Sequence, residues 1–81
     1  MCTILVIDDE KGILGVIKET LTRFGHNVEI AIDGIDGIEK FDDGRYDMVI
    51  TDMRMPRLDG KGVVQHIRNS HRNSVPILGI S

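Results

Sequence analysis

The sequence predicts an α/β domain built on a doubly wound parallel sheet, and three observations carry that prediction. Two short β-branched runs, Ile4-Leu5-Val6-Ile7 and Met48-Val49-Ile50-Thr51, read as strands buried on both faces. Segments with apolar residues at helical spacing lie between such runs. Strand and helix alternate along the chain, which calls for βα units, a parallel sheet and right-handed crossovers.

Each element has its own signals. Thr3 to Ile7 is the first strand. The acids Asp8-Asp9-Glu10 suit the start of a helix, where negative charge meets the positive end of the dipole. Ile13, Leu14, Ile17, Leu21 and Phe24 form that helix's apolar stripe, and Gly25 reads as its left-handed cap. His26-Asn27 leads into a second strand, Val28 to Ile32. Asp33-Gly34 is a turn or N-cap before a short helix carrying Ile35, Ile38 and Phe41, weakened by Gly37 and closed by Asp43-Gly44. The third strand spans Asp47 to Thr51. A loop from Met53 to Asp59 contains Pro56, which stiffens it and removes a donor. Asp59-Gly60 opens a third helix, which runs to about Asn69 with Val63, Val64 and Ile67 facing inward. Ser70 to Asn73 is a polar linker, and Pro76 to Ile80 is a fourth strand followed by Ser81.

Composition narrows the function. With 81 residues the chain is one domain at most, and Met1 stands just before the first strand, as expected for a domain at a protein's N-terminus. A single cysteine, Cys2, excludes an internal disulfide and any multi-cysteine metal site, and fits a reducing cytoplasm. The net charge of −3 and the scattered basic residues give no general attraction to nucleic acid or anionic lipid. No apolar stretch approaches the roughly 20 residues of a membrane span, and the first residues lack the basic segment and long apolar core of a signal peptide. His26, His66 and His71 lack the spacing of a metal pair and are expected to be solvated. No phosphate-cradling glycine loop or EF-hand pattern occurs.

The chemistry gathers at strand ends. Asp8 and Asp9 follow the first strand directly, and Asp52 follows the third. Ligands of open α/β sheets bind outside the carboxyl ends of the strands. With those two strands as neighbours, three carboxylates share one cleft, and a bound cation is the simplest remedy for their repulsion. Magnesium suits such a set, because it keeps several waters and needs only one or two carboxylates and a carbonyl. Asp52 is then the most exposed candidate nucleophile, since a carboxylate can attack a phosphoryl group to form an acyl phosphate. Ser81, at the end of the fourth strand, lies on the same edge and is placed to donate a hydrogen bond to a phosphoryl oxygen. The competing role for Asp8 or Asp9 is simply to cap the first helix.

Asp8-Asp9 after strand one, Asp52-Met53-Arg54-Met55-Pro56 after strand three, Asp59-Gly60 beyond it and Pro76 to Ser81 at strand four together resemble the receiver domain of two-component response regulators, from Thr3 to Ser81. The resemblance implies a flavodoxin-like sheet with strand order 2-1-3-4. It implies that Asp52 accepts a phosphoryl group from a phosphohistidine on a sensor histidine kinase or phosphotransfer protein. Asp9 and Asp52 would ligate magnesium or manganese directly, Asp8 through a metal-bound water, and the backbone carbonyl of Arg54 would complete the protein ligands. Ser81 would be the switch hydroxyl. The domain would be a signalling phosphoacceptor and not an enzyme.

Against that family pattern the chain looks cut short. A receiver continues through a fourth helix, a fifth strand ending in a phosphoryl-pairing lysine, and a fifth helix. Lys11, Lys18, Lys40 and Lys61 all lie at the wrong places to stand in for that lysine. The fourth strand then becomes an exposed edge and one sheet face keeps only the first helix as cover, so self-association and impaired phosphorylation are expected. Two enzyme or cofactor alternatives fit less well. A haloacid-type phosphatase needs an acid where Arg54 stands, and a flavodoxin-like cofactor binder would set Asp8-Asp9-Glu10 against its own phosphate. A phosphorylation-independent interaction module of the same fold is the remaining alternative.

Overall fold

The computed structural model describes residues 2–55, 58–70 and 74–80. In chain order the elements are β1 (Thr3–Ile7), α1 (Lys11–Arg23), β2 (Asn27–Ala31), α2 (Gly34–Asp43), β3 (Met48–Asp52), α3 (Gly60–Arg68) and β4 (Ile77–Ile80). The strands form one parallel sheet in the order β2-β1-β3-β4. β1 is central and pairs with β2 from Thr3–Asn27 to Ile7–Ala31, and with β3 from Ile4–Met48 to Ile7–Thr51.

Alternation along the strands divides the core in two, because successive side chains leave a strand on opposite faces. Leu5, Ile7, Ala31 and Val49 point to the face covered by α2 and α3, where they meet Phe41, Val63 and Ile67. Ile4, Val6 and Ile50 point to the other face, where Leu14 of α1 packs on them. Leu14 is the only fully buried residue of α1; Ile17 and Leu21 are half-buried. Two members of the expected stripe fall outside the core: Ile13 lies at its margin, and Phe24 is 76% exposed. Phe24 sits past the last helical turn, as the C-cap, so helical periodicity no longer governs it. Gly25 then takes a φ of 87°, which suits glycine and ends the helix as expected.

The remaining boundaries shift by one residue for local reasons. β2 starts at Asn27 and stops at Ala31 because the Ile32 N–H turns away to the Asp36 carboxylate at 3.1 Å. β3 starts at Met48, because Asp47 binds across to β1, its N–H to the Thr3 carbonyl (2.7 Å) and its carboxylate to the Thr3 N–H (2.8 Å). β3 also keeps Asp52, which pairs with Ile80. β4 begins after Pro76, which has no N–H to give but accepts from Val49 at 2.9 Å. Gly37 of α2 lies where a Cβ would come within 2.5 Å of Ile7, so its cost in helix propensity accompanies a close helix–sheet approach. Two histidines expected to be solvated hold partners. His26 Nδ1 accepts the Cys2 N–H at 3.1 Å, and His66 Nε2 lies 2.8 Å from an Asp42 carboxylate oxygen, linking α3 to α2. His71 lies outside the described residues.

Two glycine substitutions distinguish backbone strain from helix propensity. Gly15 is exposed inside α1 with open space around it, so Gly15→Ala should raise the unfolding free energy by about 0.5–1 kcal/mol. Gly25→Ala should lower it by about 1–2 kcal/mol, since a left-handed φ is unfavourable for a residue with a Cβ. Urea titrations of both variants check the pair.

Candidate functional site

The register of β1 with β3 creates the site. Ile7 pairs with Thr51, so the next residues, Asp8 and Asp52, stand side by side at the carboxyl edge. The Asp8 N–H is held by the Ala31 carbonyl (3.1 Å), and the Met53 N–H by the Ile80 carbonyl (2.8 Å). Four strands therefore fix where the acids leave the sheet. One carboxylate oxygen from each of Asp8, Asp9 and Asp52 falls within 4.8 Å of the other two. All three sequence-predicted acids are brought together.

Their surroundings differ. Asp8 is 1% exposed and Asp52 half-buried, while Asp9 is exposed, so Asp9 and not Asp52 is the most exposed of the three. Asp8 Oδ1 accepts the Glu10 N–H at 2.9 Å, and Asp52 Oδ1 accepts the Arg54 N–H at 3.0 Å. The helix-capping role foreseen as an alternative is not the one these acids fill: the N-cap of α1 is Glu10, which makes no side-chain capping bond. Burial pushes the Asp8 carboxyl above its usual range. The Glu10 N–H draws it back, while the charges of Asp52 and Asp9 and a hydrogen bond with Asp52 push it further up. A buried carboxylate with two anionic neighbours and one backbone donor suits a cation. The donor set is all oxygen, the set magnesium and manganese prefer.

Arg54 is exposed and stays beside the acids through its N–H bond to Asp52. Ser81 and Pro56 lie outside the described residues. Lys40, one of the lysines in the wrong place, is committed elsewhere: its Nζ bonds the Ile30 carbonyl and approaches Glu29 and Asp36 within 3.7 Å and 3.5 Å. Asp59 caps α3 by accepting the Gly62 N–H at 3.0 Å, as the turn signal foretold. The buried Thr51 hydroxyl donates to the Asp52 carbonyl at 3.1 Å, a contact that no spacing signal marks, since the threonine lies inside a strand.

The sequence matches the response regulator receiver domain family over residues 4–81. The chain belongs to that family, and it is the receiver domain of a two-component response regulator. Among curated relatives, the response regulator MprA of Mycobacterium sp. (strain KMS) is 36% identical over 75 residues, 93% of this chain and 32% of its own length. The probable transcriptional regulator ycf27 of Cyanidium caldarium is likewise 36% identical over 75 residues, 29% of its length. The chain thus spans about a third of these relatives. Among solved structures, the chemotaxis response regulator CheY4 of Vibrio cholerae superposes with a TM-score of 0.94 at 32% identity, over 98% of this chain and 67% of that one. The response regulator TrrA of Thermotoga maritima, solved in complex with Mg²⁺ and BeF, gives a TM-score of 0.85 at 39% identity, over 89% of this chain and 63% of that one. The predicted strand order, including the edge position of β4, agrees with the sheet found. Among the described residues no helix is long and apolar enough to cross a membrane.

Burial of Asp8 sets a pH and metal dependence with a definite sign. Its folded carboxyl binds a proton more tightly than the unfolded one. Its contribution to stability is therefore fully present below the unfolded carboxyl's range and is lost as pH rises through the higher folded value. At neutral pH without metal, Asp8→Asn should raise the melting temperature, since the amide oxygen can still accept from Glu10 while the charge is gone. Magnesium should raise the melting temperature of the natural protein by mass action and leave that of Asp8→Asn nearly unmoved. Differential scanning calorimetry at pH 7, with and without magnesium, checks both.

Proposed function

We propose that the domain takes a phosphoryl group from a phosphohistidine onto Asp52, with a magnesium ion held by Asp8, Asp9, Asp52 and the backbone carbonyl of Arg54. The observation that carries this reading is the convergence of three carboxylates on one sheet edge with Asp8 almost fully buried. The ion would balance negative charge that accumulates as the phosphoryl group crosses between oxygen and nitrogen. Asp52 is the nucleophile. Its Oδ1 is occupied by the Arg54 N–H, which leaves the other carboxylate oxygen to attack phosphorus. A P–O bond forms as the P–N bond breaks, and the electron pair leaves with the histidine nitrogen. Asp8 works through the ion's water, and Ser81 is the hydroxyl that answers the phosphoryl group. The donor is a sensor histidine kinase or phosphotransfer protein in the cytoplasm, and the domain carries a signal rather than turning over a substrate.

Lys11, Lys18 and Lys61 are exposed and Lys40 is held at β2. The rival reading, an interaction module without phosphorylation, leaves the buried charge of Asp8 without a purpose.

The same chain carries an exposed apolar strip. β4 pairs only with β3 among the described residues, and its Leu78 is 48% exposed. Beside it a groove of about 260 Å³ is lined by Val16, Ile17, Thr20, Leu21, Ile50, Leu78 and Ile80. This strip supports self-association through β4.

Asp52→Asn should abolish labelling by a radioactive acyl phosphate donor, and Asp9→Ala should weaken magnesium binding by about 10-fold or more. Undiminished labelling of Asp52→Asn would sink the assignment of the acceptor. Light scattering of the 81-residue chain should show mass rising with concentration; a monomer throughout would remove the β4 contact.

A further inference from the structure

Resting on the reading of Asp52 as acceptor, we infer that Gly34 is a positioning residue: it lets the first turn of α2 lie against the backbone of Leu58 and so sets where the loop after Asp52 sits. Gly34 is the first residue of α2 and is buried. A Cβ built there would run into the Leu58 carbonyl oxygen, and would stand 2.9 Å from the Leu58 carbonyl carbon and from its Cβ. These are backbone and near-backbone atoms, which cannot swing aside as a side-chain tip can.

The loop is gripped from its other end in the same way. Gly60 is the first residue of α3, and a Cβ there would stand 2.6 Å from both the Asp52 carbonyl oxygen and Met53 Cα. Two helices therefore begin on glycine, one start pressing on Leu58 and the other on Asp52 and Met53. Each glycine follows a capping aspartate. Asp33 accepts the Asp36 N–H at 2.7 Å, and Asp59 accepts the Gly62 N–H at 3.0 Å.

Capping explains the aspartates but not the glycines. Neither Gly34 nor Gly60 has a positive φ; among the described residues only Gly25 does. At the first position of a helix alanine is the better residue on propensity. The approach of the loop is what excludes a side chain. The loop's near end is tied to the acceptor, since the Arg54 N–H bonds Asp52 Oδ1 at 3.0 Å. Its far end is tied to the core, because Leu58 packs on the cluster shared by α2 and α3. A displaced Leu58 would move the segment that carries Arg54, and with it one proposed metal ligand.

The test measures magnesium binding to the 81-residue chain by calorimetry and by amide shifts of Met53 and Arg54. Labelling by acetyl phosphate is followed alongside. Gly34→Ala should fold, weaken magnesium binding by about 10-fold or more and slow labelling in step. Gly15→Ala is a control, because its Cβ would meet nothing within 4 Å. Gly44→Ala is a second, because its Cβ would meet the Tyr46 ring at the other end of the sheet. Both controls should bind magnesium as the natural chain does, even where they lose stability. If Gly34→Ala does not fold, one glycine inserted between Met55 and Pro56 uncouples Leu58 from Arg54 with α2 untouched, and should weaken binding similarly. Natural affinity in folded Gly34→Ala, or in the insertion variant, overturns the inference. Failure of the unmodified chain to bind magnesium or accept a phosphoryl group would instead overturn the reading of Asp52.

Discussion

The pairing of β1 with β3 is the contact on which the rest depends. It is a run of backbone hydrogen bonds between two strands far apart in sequence, from Ile4–Met48 to Ile7–Thr51. Slipping β3 along it by one residue would turn Val49 from the α2–α3 face to the α1 face and Ile50 the other way. It would also separate Asp8 from Asp52. Core and site are thus specified by the same register. The apolar side chains that lock it gain by leaving water, and Asp8 at its end loses by the same burial. A cation held there would offset that loss.

The sheet's two faces are unequal. α2 and α3 bring Phe41, Val63 and Ile67 to one side, while α1 brings a single fully buried residue, Leu14, to the other. β4 adds Ile80 to the α1 side at the margin and leaves Leu78 in solvent. Its residues Ile77-Leu78-Gly79-Ile80 carry no charge, so nothing in the strand itself discourages pairing with another edge. Among the described residues the α2–α3 face is the more fully covered of the two.

Much of this was legible in the sequence, and the parts that were not share a cause. Strand and helix identities followed from local patterning: two β-branched runs, a 3.6-residue stripe, and Gly25 as a stop. The acidic site followed because Asp8, Asp9 and Asp52 lie directly at strand ends, where topology alone brings them together. What the sequence concealed was tertiary. Phe24 fits the stripe by spacing yet falls one turn too late to reach the sheet. His66 offers no motif, because its partner Asp42 is 24 residues away on another helix. Asp33-Gly34 and Asp59-Gly60 read as punctuation. Their glycines take meaning only when the neighbouring loop is seen to touch them.

One aromatic pair has a practical bearing on how this protein reports on itself. The chain has no tryptophan and one tyrosine, Tyr46. Its ring stacks on Phe41 with centroids 6.4 Å apart, near Thr3 and Asn27 at the amino ends of the strands. Burial, with the charges of Glu29 and Asp43, keeps its phenol protonated to higher pH than usual. Ultraviolet emission will therefore follow the melting of the core at that end. It will be nearly blind to events at the opposite edge, where the acids sit. An optical readout of the carboxyl edge needs a fluorophore placed there.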